Sequence, residues 1–161
     1  MLDLLARLEE TATSTWLRES GFAFFSSLSI HSLAMAAVVG INIAFALRLI
    51  GLAPAFSLLR FQPFVRLHNI GLGFIIASGL ALLLAYPAKA LTNPVFYLKL
   101  VALVSALCLF YKRYRLALAD ETGRKVARTS AVILLVLWVV VIFAGRFLAY
   151  TNSILLASSF Y

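Results

Sequence analysis

Two long stretches without charge constrain this chain more than any other feature of its sequence. Residues 21–47 and 67–88 contain no Asp, Glu, Lys or Arg, and they are 27 and 22 residues long. A helix needs about 20 such residues to cross a bilayer. Two further apolar blocks, 94–111 and 129–150, are each interrupted by one basic residue, Lys99 and Arg146. The sequence therefore predicts four transmembrane helices.

The composition agrees with this interpretation. Hydrophobic residues make up 63% of the chain and charged residues 12%, against roughly 45–50% and about 25% in soluble domains. We expect an all-α fold, an integral membrane four-helix bundle that forms a single domain. Its predicted spans are 21–49, 64–87, 94–115 and 128–150, with antiparallel neighbours joined by short connections. The apolar tail, 151–161, is too short to span a bilayer and is expected to lie along the membrane or against a partner.

Residues 1–20 have a different pattern from the spans. Leu4, Leu5, Leu8 and Trp16 recur at helical spacing, which predicts an amphipathic helix lying in the membrane interface. The segment is acidic and has neither the basic start nor the apolar centre of a signal peptide, so we expect it to be retained.

The basic residues predict an orientation. Nine of the 14 Lys and Arg residues lie in the two connections between spans one and two and between spans three and four. By the positive-inside rule both connections are cytoplasmic and both termini are periplasmic, in a bacterial inner membrane. The net charge of +8 therefore indicates the orientation of the chain in the membrane, and it gives no reason to expect a nucleic-acid partner.

Polar side chains inside the spans are the candidate functional residues, because hydrocarbon disfavours them. They are His31, Asn42, His68, Asn69, Lys99 and Arg146. Helical rise places His31 about 15 Å below the outer face, and Lys99 and Arg146 within roughly 6–9 Å of it. The spans contain no carboxylate.

Three explanations of this outer cluster remain open. Lys99 and Arg146 snorkel to the surface or contact a lipid phosphate. Alternatively, His31 binds the iron of a haem b whose propionates rise toward the two cations, or a quinone lies between His31 and a cationic donor. Each of the last two alternatives makes the outer half of the bundle a cofactor site.

His68 lies near the cytoplasmic start of the second span, about 10 Å from the level of His31. The two histidines are therefore not expected to bind one iron. His68 is either an interfacial residue that bonds to a connection carbonyl or a headgroup, or a ligand of a second cofactor. Asn42 and Asn69 are expected to form interhelical hydrogen bonds. We find no nucleophile with a base, no paired carboxylates and no phosphate-binding loop, and therefore do not expect hydrolytic chemistry.

Several strings resemble a largely uncharacterised family of small bacterial four-helix membrane proteins. They are WLRES at 16–20, IHSLA at 30–34, ALRLIG at 46–51, NPVFYLK at 93–99, and Trp138 with AGRFLAY at 144–150. That family is distantly similar to the membrane domain of copper-resistance protein D and to four-helix b-type cytochromes. The resemblance implies that His31, Arg48, Lys99 and Arg146 occupy the family's polar positions, with His31 as its haem or metal ligand.

Two functions follow as hypotheses. One is a subunit for electron transfer, linked to haem b or quinone, with its site in the periplasmic half. The other is a cofactor-free accessory subunit of a larger membrane complex, or a partner in periplasmic copper handling. Both place the chain in the bilayer beside other membrane subunits or further copies of itself.

Overall fold

The computed structural model describes residues 2–52, 58–119 and 124–150. These residues form seven α-helices and no strand: α1 (Leu2–Glu9), α2 (Ala12–Glu19), α3 (Gly21–Ile50), α4 (Gln62–Ala85), α5 (Pro87–Leu91), α6 (Pro94–Ala119) and α7 (Arg124–Tyr150). A short 3-10 helix, Leu58–Phe61, precedes α4. Four of the helices, α3, α4, α6 and α7, are long and apolar enough to cross a membrane. The predicted all-α bundle with four spans is confirmed.

The span boundaries differ slightly from those expected, for local reasons. Helix α3 ends at Gly51, whose φ of 100° is left-handed and free of strain only for glycine. Helix α4 starts earlier than predicted, with Pro63 in its first turn, and it ends at Ala85. Pro87 does not end the span but begins the short helix α5. The tail 151–161 lies outside the described residues.

The N-terminal segment is two helices rather than the single one expected. The break lies at Thr11, whose Oγ1 accepts a hydrogen bond from the Ser14 amide at 3.4 Å and caps α2. Leu5 and Leu17 are buried, whereas Leu4, Leu8 and Trp16 are exposed. Helices α1 and α2 pack on α3, α4 and α5 at one end of the bundle. We call this the capped end, and the opposite end, where α6 leads to α7, the hairpin end.

Polar contacts fix the cap to the spans. The Arg18 guanidinium donates to the carbonyls of Ala85, at 3.3 Å, and Glu9, at 3.2 Å. The buried Glu9 carboxylate accepts from the Ala88 amide at 3.2 Å. This amide lies in the first turn of α5, so the carboxylate satisfies a donor that helix geometry leaves unpaired. The segment is thus part of the folded domain.

The spanning helices pack in the order α4, α3, α7, α6. Helices α3 and α4 approach closely at Gly71, where a Cβ atom would lie 2.9 Å from Val38 Cγ2. The core centres on fully buried side chains of α3, α6 and α7, among them Phe45, Phe110 and Trp138. Within the described ranges, α4 and α6 have no extensive helix-to-helix contact. We call the region between these two helices, where their backbones do not approach closely, the gap between α4 and α6.

Candidate functional site

His31 of α3 lies beside this gap, in the half toward the capped end. Its imidazole Nδ1 is 3.0 Å from Ser78 Oγ on α4. Lys99 of α6 lies in the same half of the bundle, beside Gly145 of α7. Both side chains are half-buried. Two half-buried nitrogen groups on different helices therefore lie in the half toward the capped end.

The hydrogen bonds around Ser78 assign the tautomer of His31. The Ser78 hydroxyl donates its one proton to the backbone of its own helix, at the Phe74 carbonyl. It can then only accept from His31, so the imidazole proton is on Nδ1. The lone pair of His31 is therefore on Nε2, which points away from Ser78.

A glycine lies next to each of the two nitrogen groups. A Cβ atom at Gly79 would lie 3.3 Å from His31 Cε1, closer than an ordinary carbon contact. A Cβ atom at Gly145 of α7 would lie 3.7 Å from both Cε and Nζ of Lys99, an ordinary contact distance. Gly79 therefore lets the imidazole lie against the backbone of α4, whereas Gly145 only marks the part of α7 beside Lys99.

Arg146 has a different environment from Lys99. It is exposed, and its guanidinium lies 4.9 Å from the centroid of the Tyr150 ring, an arrangement typical of a cation–π contact. It follows Gly145 directly and so has the same level as Lys99. Among the described residues, no hydrogen bond joins Arg146 to His31. Of the three predicted outer groups, His31 and Lys99 are half-buried and Arg146 is exposed.

His68 lies in the other half of the bundle, in a separate cluster. It is fully buried and stacks on Phe110 with ring centroids 4.6 Å apart. The Tyr111 hydroxyl of α6 donates to Asn69 Oδ1 at 2.6 Å and lies 3.3 Å from His68 Nδ1. These contacts bridge the gap between α4 and α6. They replace the interfacial environment that we considered for His68 with a closed aromatic one.

The two histidines are far apart along α4. His31 contacts Ser78, which follows His68 by ten residues, and ten residues of helix span about 15 Å. One iron therefore has no access to both. The described part of the chain contains no group of three or more His, Cys, Asp or Glu residues that would hold a metal ion.

The two intramembrane asparagines differ. Asn69 accepts the interhelical bond from Tyr111. Asn42 instead donates to the Val38 carbonyl of its own helix at 2.8 Å, and its buried Oδ1 has no partner among the described residues. Ser78 has no distinct signal in the sequence, because it lies in a run of small residues that predicts packing. Tyr111 has none either, because an aromatic residue at the end of an apolar block is common in membrane spans.

Comparisons with known proteins add no assignment. No family model, no curated protein and no solved structure matches this chain. The resemblance given above, to a family of small four-helix membrane proteins, stays a prediction. The candidate site accordingly depends on its own geometry.

Proposed function

We propose that this membrane protein is a quinone-linked subunit, and that the gap between α4 and α6 holds the headgroup of a quinone or quinol. The observation that carries the proposal is the presence of two half-buried nitrogen groups, His31 and Lys99, in the same half of the bundle. The Nδ1–H of His31 donates to Ser78, and its Nε2 has no hydrogen bond to a described residue. A bound quinone would supply the redox chemistry, and the protein supplies the binding groups.

The two side chains have complementary roles. An ammonium group can only donate, so Lys99 is suited to a quinone carbonyl oxygen. The Nε2 lone pair of His31 can only accept, so it is suited to the hydroxyl of a quinol and to the proton that this hydroxyl releases. Among the described residues Lys99 has no carboxylate partner, and a ligand oxygen would satisfy it.

The position of the site is suited to a lipid-soluble ligand. The backbones of α4 and α6 do not approach closely along most of their described length, and His31 is partly exposed. A quinone that diffuses in the bilayer would reach the gap from the side, without passing through water. The cluster of His68, Asn69 and Tyr111 closes the gap toward the hairpin end.

Haem is the alternative cofactor, because a histidine Nε2 such as that of His31 is also a common ligand of haem iron. His68 does not supply the second axial position, for the reason of distance given above. A haem at His31 would therefore have one histidine ligand from this chain, and Lys99 would be available to a propionate.

The test measures quinone per protein chain after purification in mild detergent and solvent extraction. We expect near-stoichiometric quinone in the wild type. Loss of a hydrogen bond to a charged group costs about 1.5–3 kcal/mol, so Lys99→Gln should bind quinone at least about tenfold more weakly. Arg146→Gln removes the same charge at the same level, away from His31, and should retain the quinone.

Other outcomes are equally informative. A Soret band and a pyridine haemochrome signal that disappear in His31→Ala would show that the bound cofactor is haem and not quinone. Wild-type protein that contains neither quinone nor haem would refute the cofactor site and favour the accessory subunit. Equal quinone in the Lys99 and Arg146 variants would refute the proposed role of Lys99.

The proposed site is periplasmic if the positive-inside rule holds. We propose that the hairpin end is cytoplasmic and the capped end periplasmic, in a bacterial inner membrane. Single cysteines in a Cys108→Ser background test this. In intact cells an impermeant maleimide should label Thr13→Cys, in the cap, and not Thr122→Cys, in the connection before α7. The reverse pattern would invert the orientation.

A further inference from the structure

A shallow groove of about 720 Å³ runs along one face of α6, toward the hairpin end. Its lining includes Val104, Leu107, Cys108, Lys112 and Arg115. These residues recur three and four apart, so they share one face of the helix. The residues by which α6 enters the core, Ala102, Ala106 and Phe110, lie on another face. The groove is therefore part of the outer surface of the bundle.

The groove changes from apolar to basic along its length. Val104 and Leu107 form its apolar part, and Lys112 and Arg115, with Leu116, form the end nearest the hairpin. No acidic residue of the described ranges lines it. Lys112 and Arg115 are exposed, and neither forms an ion pair with a residue in the described ranges. Arg113, between them, does not line the groove.

The dimensions of the groove correspond to one leaflet of a bilayer. Lys112 and Arg115 are eight and eleven residues from Val104, which helical rise converts to about 12 and 16 Å. Half of the hydrocarbon core is about 15 Å thick. If Val104 lies near the bilayer centre, the two basic side chains are at the level of the headgroups.

We propose that this groove is a binding site for an anionic phospholipid of the leaflet at the hairpin end. One acyl chain lies on Val104, Leu107 and Cys108, and the phosphate lies between Lys112 and Arg115. An arginine guanidinium binds phosphate oxygens in a bidentate manner, and a lysine adds a second charge. A zwitterionic lipid has the same chains but no net charge, so the two basic residues provide the selectivity. The proposal does not depend on the quinone site.

The main test compares lipid retention by native mass spectrometry. Full-length protein is exchanged into micelles that contain dioleoyl phosphatidylglycerol or dioleoyl phosphatidylcholine. The wild type should retain the anionic lipid in preference to the zwitterionic one. Each basic residue near an anionic lipid strengthens binding about fivefold, so Lys112→Gln/Arg115→Gln should weaken retention about 25-fold.

The matched control removes two other exposed charges that precede or begin α4. Arg60→Gln/Arg66→Gln loses the same net charge outside the groove and should retain the lipid as the wild type does. Equal losses in the two double variants would show a general charge effect and overturn the site. Equal retention of both lipids by the wild type would overturn the selectivity.

A second measurement uses the unaltered groove, and so does not depend on the folding of the charge variants. Cys108 is the only cysteine of the chain and is exposed. Its modification by N-ethylmaleimide should be slower in phosphatidylglycerol than in phosphatidylcholine. Leu67→Cys in a Cys108→Ser background reports the effect of surface charge alone, because Leu67 is exposed on α4. Equal slowing at both cysteines would contradict a lipid in the groove.

Discussion

Removal of the Tyr111 hydroxyl should weaken the attachment of α4 to α6. Among the described residues, this hydroxyl makes the only polar side-chain contacts between the two helices. In Tyr111→Phe, Asn69 Oδ1 loses its 2.6 Å donor and His68 Nδ1 loses a neighbour at 3.3 Å. Interhelical hydrogen bonds in membrane proteins contribute about 0.6 kcal/mol on average and up to about 1.7 kcal/mol. The Tyr111 contact is short and adjoins a fully buried imidazole, which favours the upper half of this range.

A double-mutant cycle isolates the contact from other effects of the substitutions. The free energy of unfolding is measured in mixed micelles with a denaturing detergent for the wild type, Tyr111→Phe, Asn69→Ala and the double variant. We expect a coupling energy of about 1 kcal/mol between the two positions. Tyr114→Phe is the matched control, since its hydroxyl has no hydrogen bond to a described residue. A coupling energy near zero, or an equal loss in Tyr114→Phe, would refute the bridge.

Three further substitutions test the packing of the spans and the cap by the same unfolding assay. Gly71→Ala should lower the free energy of unfolding by about 1–3 kcal/mol, because its Cβ would lie 2.9 Å from Val38 Cγ2. The control Gly73→Ala should change it little, because a Cβ there meets no atom within 4 Å. Equal effects of the two substitutions would contradict the close approach of α3 and α4. Asn42→Leu should preserve or raise stability, because the buried Oδ1 has no partner among the described residues, and a loss above about 2 kcal/mol would reveal one. Arg18→Ala should release α1 and α2, which protease cleavage in the first 20 residues measures, and unchanged resistance would contradict its role.

The sequence predicts the spans because a continuous run of uncharged residues along the chain is enough to identify them. A run such as 21–47 without charge is costly in water and stable in lipid, whatever it packs against. Helix α3 accordingly follows the prediction to within one residue, and Gly51 ends it through a local conformational preference. The N-terminal segment was less predictable, because its apolar spacing is compatible with one helix or two. The choice depends on Thr11 as a cap and on contacts of Arg18 with distant carbonyls.

The candidate site was predicted in part, and the limit is again physical. Composition and helical rise identify His31 and Lys99 as polar groups of the outer half, but not which face each side chain occupies. Ser78 becomes a partner of His31 only when α4 packs on α3, and a serine among small residues has no distinct sequence signal. Arg146 has the same depth as Lys99 and a different direction, since its guanidinium lies over Tyr150. The two side chains point in different directions because they lie at different rotational positions about their helix axes, and hydropathy does not report that rotation.

The protonation state and the tautomer of His31 test the central claim most directly. Nitrogen-15 NMR of the imidazole in a lipid bilayer distinguishes Nδ1 from Nε2 protonation, and His68→Gln assigns the signals of the two histidines. We predict a neutral ring with its proton on Nδ1, and a change in the Nε2 shift when a short-chain quinol is added. The change should be absent in Lys99→Gln and present in Arg146→Gln. A proton on Nε2, or an Nε2 shift that does not respond to the quinol, would contradict the account.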